Sequence, residues 1–133
     1  MSKEDIAITL ARQLASHVAT PMFIVDPEGS LLFYNEPAER VLGRRFEKTG
    51  EMPASVWSRI FIPTDGHGAP LLPETLPLVI TLTEHRPVHS RFWIVGMDNV
   101  RRHIEVVAFP LTGQAEQHVG AIAIFWEVTE APK

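Results

Sequence analysis

Fifteen residues, Pro21-Met-Phe-Ile-Val-Asp-Pro-Glu-Gly-Ser-Leu-Leu-Phe-Tyr-Asn35, constrain the fold of this chain more than any other stretch. Phe23-Ile24-Val25 and Leu31-Leu32-Phe33-Tyr34 are short apolar runs of strand-forming residues. Asp26-Pro27-Glu28-Gly29 between them spells a tight turn, with Pro27 presetting φ and Gly29 supplying a positive φ. The resulting hairpin is apolar on both faces, so both faces of its sheet must be covered. Asn35 predicts the N-cap of a helix over Glu36–Leu42, with Pro37 in its first turn and Gly43 at its stop.

Upstream, Ser2 to Ala19 predicts a helix, opened by a capping-box-like Ser2 and Asp5 and stopped by Thr20-Pro21. Ile6, Leu10, Leu14 and Val18 recur along it at about helical spacing. Arg44 to Pro73 is irregular, punctuated by four prolines and by Asp65-Gly-His-Gly68, with one helical turn expected around Ser55–Ile60. Thr75 to Arg86 predicts a second long helix, capped by Thr75 and ended by Pro87. Its Leu76, Val79, Ile80 and Thr83 form an i, i+3, i+4, i+7 set. Three strands follow at Val88–Val95, Arg102–Leu111 and Val119–Thr129, separated by gaps short enough for antiparallel hairpins. The order predicts an α+β fold with a five-stranded antiparallel sheet.

Composition narrows the partners. The formal charge of -4, from 16 acids against 12 Lys and Arg, argues against a nucleic-acid footprint. No apolar run approaches the ~20 residues of a membrane span, and Met-Ser-Lys-Glu-Asp opens no signal peptide. Cysteine is absent, which removes disulfides, thiolate ligands and cysteine chemistry; a cytoplasmic location is the matching expectation.

With these elements in order, the chain resembles a PAS domain of the bacterial sensory-box type. Phe23–Gly29 with Leu31–Asn35 resembles the opening hairpin of that family, and Glu36–Gly43 the helix after it. Pro73–Leu78 to Glu84–Pro87 resembles a long helix of one bacterial sensor branch, and Val119–Glu130 the closing strand. That strand commonly ends in Asp-Ile-Thr, here replaced by Glu127-Val128-Thr129. The resemblance spans residues 21 to 130, leaving 1–20 as a capping and dimerisation helix and 131–133 as a tail. It implies a cup in which the concave sheet face and the helices enclose a small-molecule cavity, with the N-terminal helix across the outer face.

Alternation then assigns the walls. The resemblance sets Phe125 and Ala123 inward on the last strand, with Phe23 and Val25 inward on the first. Trp57 and the helix residues Leu76, Val79, Ile80 and Thr83 face them. These nine are the candidate ligand-binding residues; the same residues also suit a filled core. Ile122, Ile124 and Trp126 point outward, where Ile6, Leu10 and Leu14 are available to meet them. These six are the candidate interface of a homodimer, since so much apolar surface needs cover.

No nucleophile elbow, phosphate loop or paired carboxylate appears, so no enzyme is expected. His85 and His89 have ligand spacing, but Pro87 between them breaks the helix face. His85 alone is a candidate haem ligand by family resemblance, although its place beside Glu84 and Arg86 favours solvent. Asp65 with His67 is a candidate acid–base pair. Flavin adduct chemistry in the family needs a cysteine and is excluded; non-covalent flavin leaves no mark here. The expected function is a sensory or interaction module in signal transduction, with a small apolar ligand and a homodimer or a signalling partner in trans. A ligand-free dimerisation module and a small cone-shaped proton-transfer enzyme are the alternatives. The chain ends at Lys133, which leaves open a stand-alone protein or part of a larger regulator.

Overall fold

The structure, a computed structural model, describes residues 6–60, 62–96 and 98–128. Helix α1 (Ile6–Ala15) leads into the hairpin β1 (Met22–Val25) and β2 (Leu31–Tyr34). Helices α2 (Glu36–Leu42), α3 (Phe46–Thr49) and α4 (Ala54–Ile60) follow, then the short β3 (Ile62–Thr64). Helix α5 (Pro77–Glu84) precedes β4 (Val88–Val95), β5 (Arg101–Thr112) and β6 (His118–Glu127). One sheet in the order β2-β1-β6-β5-β4-β3 carries them, antiparallel at every pairing. The sheet has six strands rather than five. Residues 62–64 lie in the stretch expected to be irregular, because three residues around Pro63 give no alternation to read.

The hairpin forms for the reasons its sequence gives. Asp26 Oδ1 accepts from the backbone N–H of Glu28 and of Ser30, both at 2.9 Å, and Gly29 sits at φ 87°. All four residues of β1 are buried, which places this strand in the middle of two cores. On the inner side Phe23, Val25, Leu31, Tyr34, Ile104, Val106 and Phe125 pack with α2 and Met52. On the outer side Met22, Ile24 and Ile122 pack with Ile8, Ala11 and Ala15 of α1.

Helix α1 is shorter and turned differently from expectation. Its last helical residue is Ala15, and the predicted cap at Ser2 and Asp5 lies outside the described residues. The face against the sheet is Ile8, Ala11 and Ala15, whereas Ile6, Leu10 and Leu14 remain 62%, 57% and 58% exposed. Small residues go inward because alanine lets the helix backbone come close to the strands. Asn35 holds that close approach, its Nδ2 donating to Ala15 O at 2.9 Å.

Helix α5 also differs. Thr75 lies in a 3-10 turn over Pro73–Thr75 and donates its hydroxyl to Leu72 O, so it caps nothing; Leu76 holds the N-cap position without a side-chain bond. The helix presents Leu78 and Leu82 to the inner core and buries Pro77 and Thr81, a face rotated from the predicted one. Leu-Val-Ile-Thr-Leu-Thr has no polar side to orient it. Thr81 settles the rotation, donating its hydroxyl to Arg86 O, with Ala108 O on β5 a second acceptor within reach at 3.4 Å.

Candidate functional site

The concave face of the sheet and the helices enclose an apolar cavity of about 80 Å³. Its floor is Phe23, Ala123 and Phe125 with Ile94, Ile104, Val106 and Phe92; Leu42, Trp57, Pro63 and residues 76–79 complete it. Of the nine candidate ligand residues, Phe23, Trp57, Leu76, Val79, Ala123 and Phe125 line it. The other three do not. Val25 is fully buried in the inner core, Ile80 is only half-buried, and Thr83 is exposed with its hydroxyl donating back to Val79 O. The strand residues Phe92, Ile94, Ile104 and Val106 were legible in principle. They alternate in phase with one another once the β4–β5 hairpin register is fixed.

Trp57 lines the cavity, its Nε1–H donating to Gly29 O at 2.8 Å and its ring edge-on to Phe23 at 5.2 Å. The indole therefore spends its one donor on the hairpin turn. What remains facing the cavity is hydrocarbon. Sites for drug-sized ligands run to roughly 300–1,000 Å³. At about 80 Å³ the cavity lies well below that range. No histidine lines the cavity, and no cysteine exists in the chain. His85 is exposed, at φ 55° as the residue closing α5, and its ring stacks on His118 instead. Asp65 Oδ1 accepts from the backbone N–H of His67 and Ala69, so it braces its own loop. Those two bonds hold its carboxyl below the ordinary carboxylate range.

Beyond Ile94 and Ile104 on the same face stands Arg102. It grips Asp98 through both guanidinium nitrogens, at 2.8 and 3.2 Å, and donates to Val41 O at 2.9 Å. One side chain thus ties the β4–β5 turn to the end of α2. The Arg102 hydrogen bonds hold the Asp98 carboxyl below its usual value. A carboxyl with a lowered folded-state pKa stabilises above the unfolded value of about 4, and that stability is lost as pH falls through the folded value. The urea midpoint of the native chain is therefore expected to drop between pH 6 and pH 3. Asp98→Asn starts lower at pH 6 and drops less. Equal drops in both proteins contradict this role for the pair.

The outer face divides in two. One half is the apolar groove between α1 and the sheet, about 480 Å³, walled by Leu10, Leu14 and Val18 and by Phe109, Ile122 and Ile124. Of the six candidate interface residues, Ile122 is buried beneath α1, at the floor of that groove. Ile124 is half-buried, while Ile6, Leu10, Leu14 and Trp126 are open, Trp126 at 38%. Phe125 and Trp126 take opposite sides, the first buried in the inner core and the second exposed. The other half is polar. His89 and Arg91 pair with Glu105, and Arg101 lies 4.0 Å over the Trp93 ring, which stacks on His103 at 4.6 Å. Among the described residues no helix is long and apolar enough to cross a membrane, and no cluster of three or more His, Asp or Glu is placed to hold a metal.

A curled antiparallel sheet, helices over its concave face and an N-terminal helix on its back make an α+β cup. No protein-family profile and no curated protein matches the chain. Solved structures do. The PAS domain of a Colwellia psychrerythraea protein superimposes with TM-score 0.66 at 17% identity, over 92% of this chain and 97% of that one. The PAS domain of nitrogen regulation protein NR(II) from Vibrio parahaemolyticus gives 0.63 at 16% identity, over 90% and 98%. A Rhodobacter sphaeroides LOV protein gives 0.72 at 13% identity, over 92% and 68%. The fold of this chain is the PAS fold.

Proposed function

We propose that the chain is a PAS-type sensory and interaction module that works as a homodimer joined through α1 and the adjoining apolar groove. The carrying observation is the exposed stripe of Ile6, Leu10 and Leu14 beside that groove. About three-fifths of each of these side chains is still in contact with solvent. Fully burying such a side chain is worth roughly 1.5–3 kcal/mol, so closing the stripe in two copies gains roughly 5–11 kcal/mol. Association costs roughly 4–15 kcal/mol, so this stripe alone about breaks even, and a dimer of modest affinity also needs Trp126 and Ile124 at its rim. The polar half of the outer face limits the contact to this side.

In sedimentation velocity over a concentration series, the native chain is expected to pass from monomer to dimer. The double change Leu10→Glu and Leu14→Glu keeps it monomeric throughout while its circular dichroism is unchanged, because neither residue is in the buried face of α1. A native chain that stays monomeric at the top of the series overturns the proposal.

The cavity supports a second, compatible role. It suits an uncharged apolar molecule of a few heavy atoms, since nothing on its wall would partner a charge or a strong hydrogen-bonding group. Native mass spectrometry of the purified chain reads out both the subunit count and any such passenger.

A further inference from the structure

The groove between α1 and the sheet has a floor laid out in rows by the register of β5 and β6. Phe109 stands opposite Ile122, Val107 opposite Ile124, and Glu105 opposite Trp126, all on the outer face. Phe109, Ile122 and Ile124 line the groove, so Glu105 and Trp126 form the first row beyond it. Val18 and Thr20 line the end that reaches this row, since the next residue, Pro21, accepts through its carbonyl from Phe125 N at 3.0 Å. Thr20 is the one polar residue of the lining. The groove therefore opens, at that end, onto the ion cluster around Glu105.

In this cluster the acid lies underneath and the bases lie on top. The Glu105 side chain is 13% exposed, one oxygen taken by His89 and the other by Arg91 at 3.2 Å. The Arg91 and His89 side chains remain 58% and 60% exposed. What faces outward is thus a guanidinium and an imidazole rather than a carboxylate. Arg91 reaches Glu105 on β5, which sets its head group in line with the groove rather than out over β4.

We propose that the groove binds a free single-chain fatty carboxylate, its alkyl tail over Phe109, Ile122 and Ile124 and its carboxylate against Arg91. At about 480 Å³ the groove lies within the roughly 300–1,000 Å³ of small-molecule sites, unlike the inner cavity. From the Phe109 row to the Glu105 row is four residues of strand, about 13 Å, a distance that an extended chain covers and a compact ring does not. A guanidinium is the side chain best matched to a carboxylate in charge and geometry. The regulatory consequence rests on the homodimer reading above. Tail and second copy claim the same groove, so the bound acid releases the dimer, and a contact near break-even yields to a ligand of modest affinity.

The test is a titration of the full chain with dodecanoate below its micellar concentration, read by calorimetry and by NMR of the isoleucine methyl groups. Saturable binding is expected, with Ile122 and Ile124 shifting and Ile94 and Ile104 of the inner cavity unmoved. Octanoate, four methylenes shorter, should bind at least about tenfold more weakly. Arg91→Ala should weaken dodecanoate about fivefold or more and leave dodecanol unchanged, whereas Arg101→Ala should change neither. No saturable binding, shifts confined to Ile94 and Ile104, or equal affinity for dodecanoate and dodecyltrimethylammonium each overturns the proposal. Sedimentation velocity of the same samples should show dimer giving way to monomer as the groove fills. A dimer that persists at saturation overturns the competition. A native chain that is monomeric without ligand overturns the dimer reading instead, and the methyl shifts then still decide the site.

Discussion

Gly120→Ala is expected to leave little folded protein. Gly120 lies in β6 at φ 148°, a backbone conformation that L side chains rarely adopt. A Cβ placed there would stand 2.1 Å from Val25 O and 3.2 Å from Val25 C, both backbone atoms of the neighbouring strand. No rotamer change relieves a clash with backbone. Relief means separating β6 from β1 just where Val25 pairs with Ala121, in the strand pair that floors the cavity and carries the outer core. The expected loss exceeds about 4 kcal/mol, in the range that marks strained or overpacked sites and a large part of the 5–15 kcal/mol stability of an ordinary domain. Soluble yield and a urea midpoint measure it. A near-native midpoint refutes the close approach of these strands.

The second large effect is expected at Asn35, which is 1% exposed and uses its whole side chain. Oδ1 accepts from Met22 N at 2.9 Å and from Ala38 N at 3.2 Å; Nδ2 donates to Ala15 O and Thr20 O, both at 2.9 Å. One amide therefore joins the end of α1, the start of β1 and the start of α2. Asn35→Ala strands partners on all three, three of the four bonds lying in the buried interior, and should cost about 3–5 kcal/mol. Asn35→Asp separates the functions. The carboxylate still accepts from Met22 and Ala38, but it turns a negative oxygen toward two carbonyls and repels α1. Hydrogen exchange should then accelerate in α1 and its following turn while α2 keeps its protection. Uniform acceleration through both helices contradicts this division of labour. The amide is thus the joint between α1, β1 and α2.

How much of this was legible in the sequence depends on where the determining chemistry lies. The hairpin turn at Asp26–Gly29 and the caps at Asn35 and Gly43 were readable because each is decided within a few residues. Strand β4 has the expected limits, since Pro87 and Gly96 bracket it. The facing of α1 was not readable. Hydrophobicity ranks Leu10 above Ala11 for burial, but the helix touches the sheet so closely that only the smaller residue fits. Asn35's second pair of bonds, which enforces that approach, reaches back 15 and 20 residues. Helix α5 was ambiguous because it is apolar nearly all round, and Thr81, its one fully buried polar residue, fixes the rotation through β5. For the same reason Ile80 and Thr83 left the expected cavity wall, and Leu78 joined it. The apolar composition of the wall was legible; its small volume was not, because volume depends on how large side chains from eight different elements interlock.

The chain's lack of cysteine makes one experiment direct. A single spin label at Leu10→Cys, on the exposed stripe of α1, reports the distance between two copies by pulsed electron resonance. A short, narrow distance distribution that disappears when labelled chain is diluted with unlabelled chain is the predicted result. An absence of dipolar coupling at concentrations where the chain is dimeric would place the contact elsewhere and contradict a dimer built on α1.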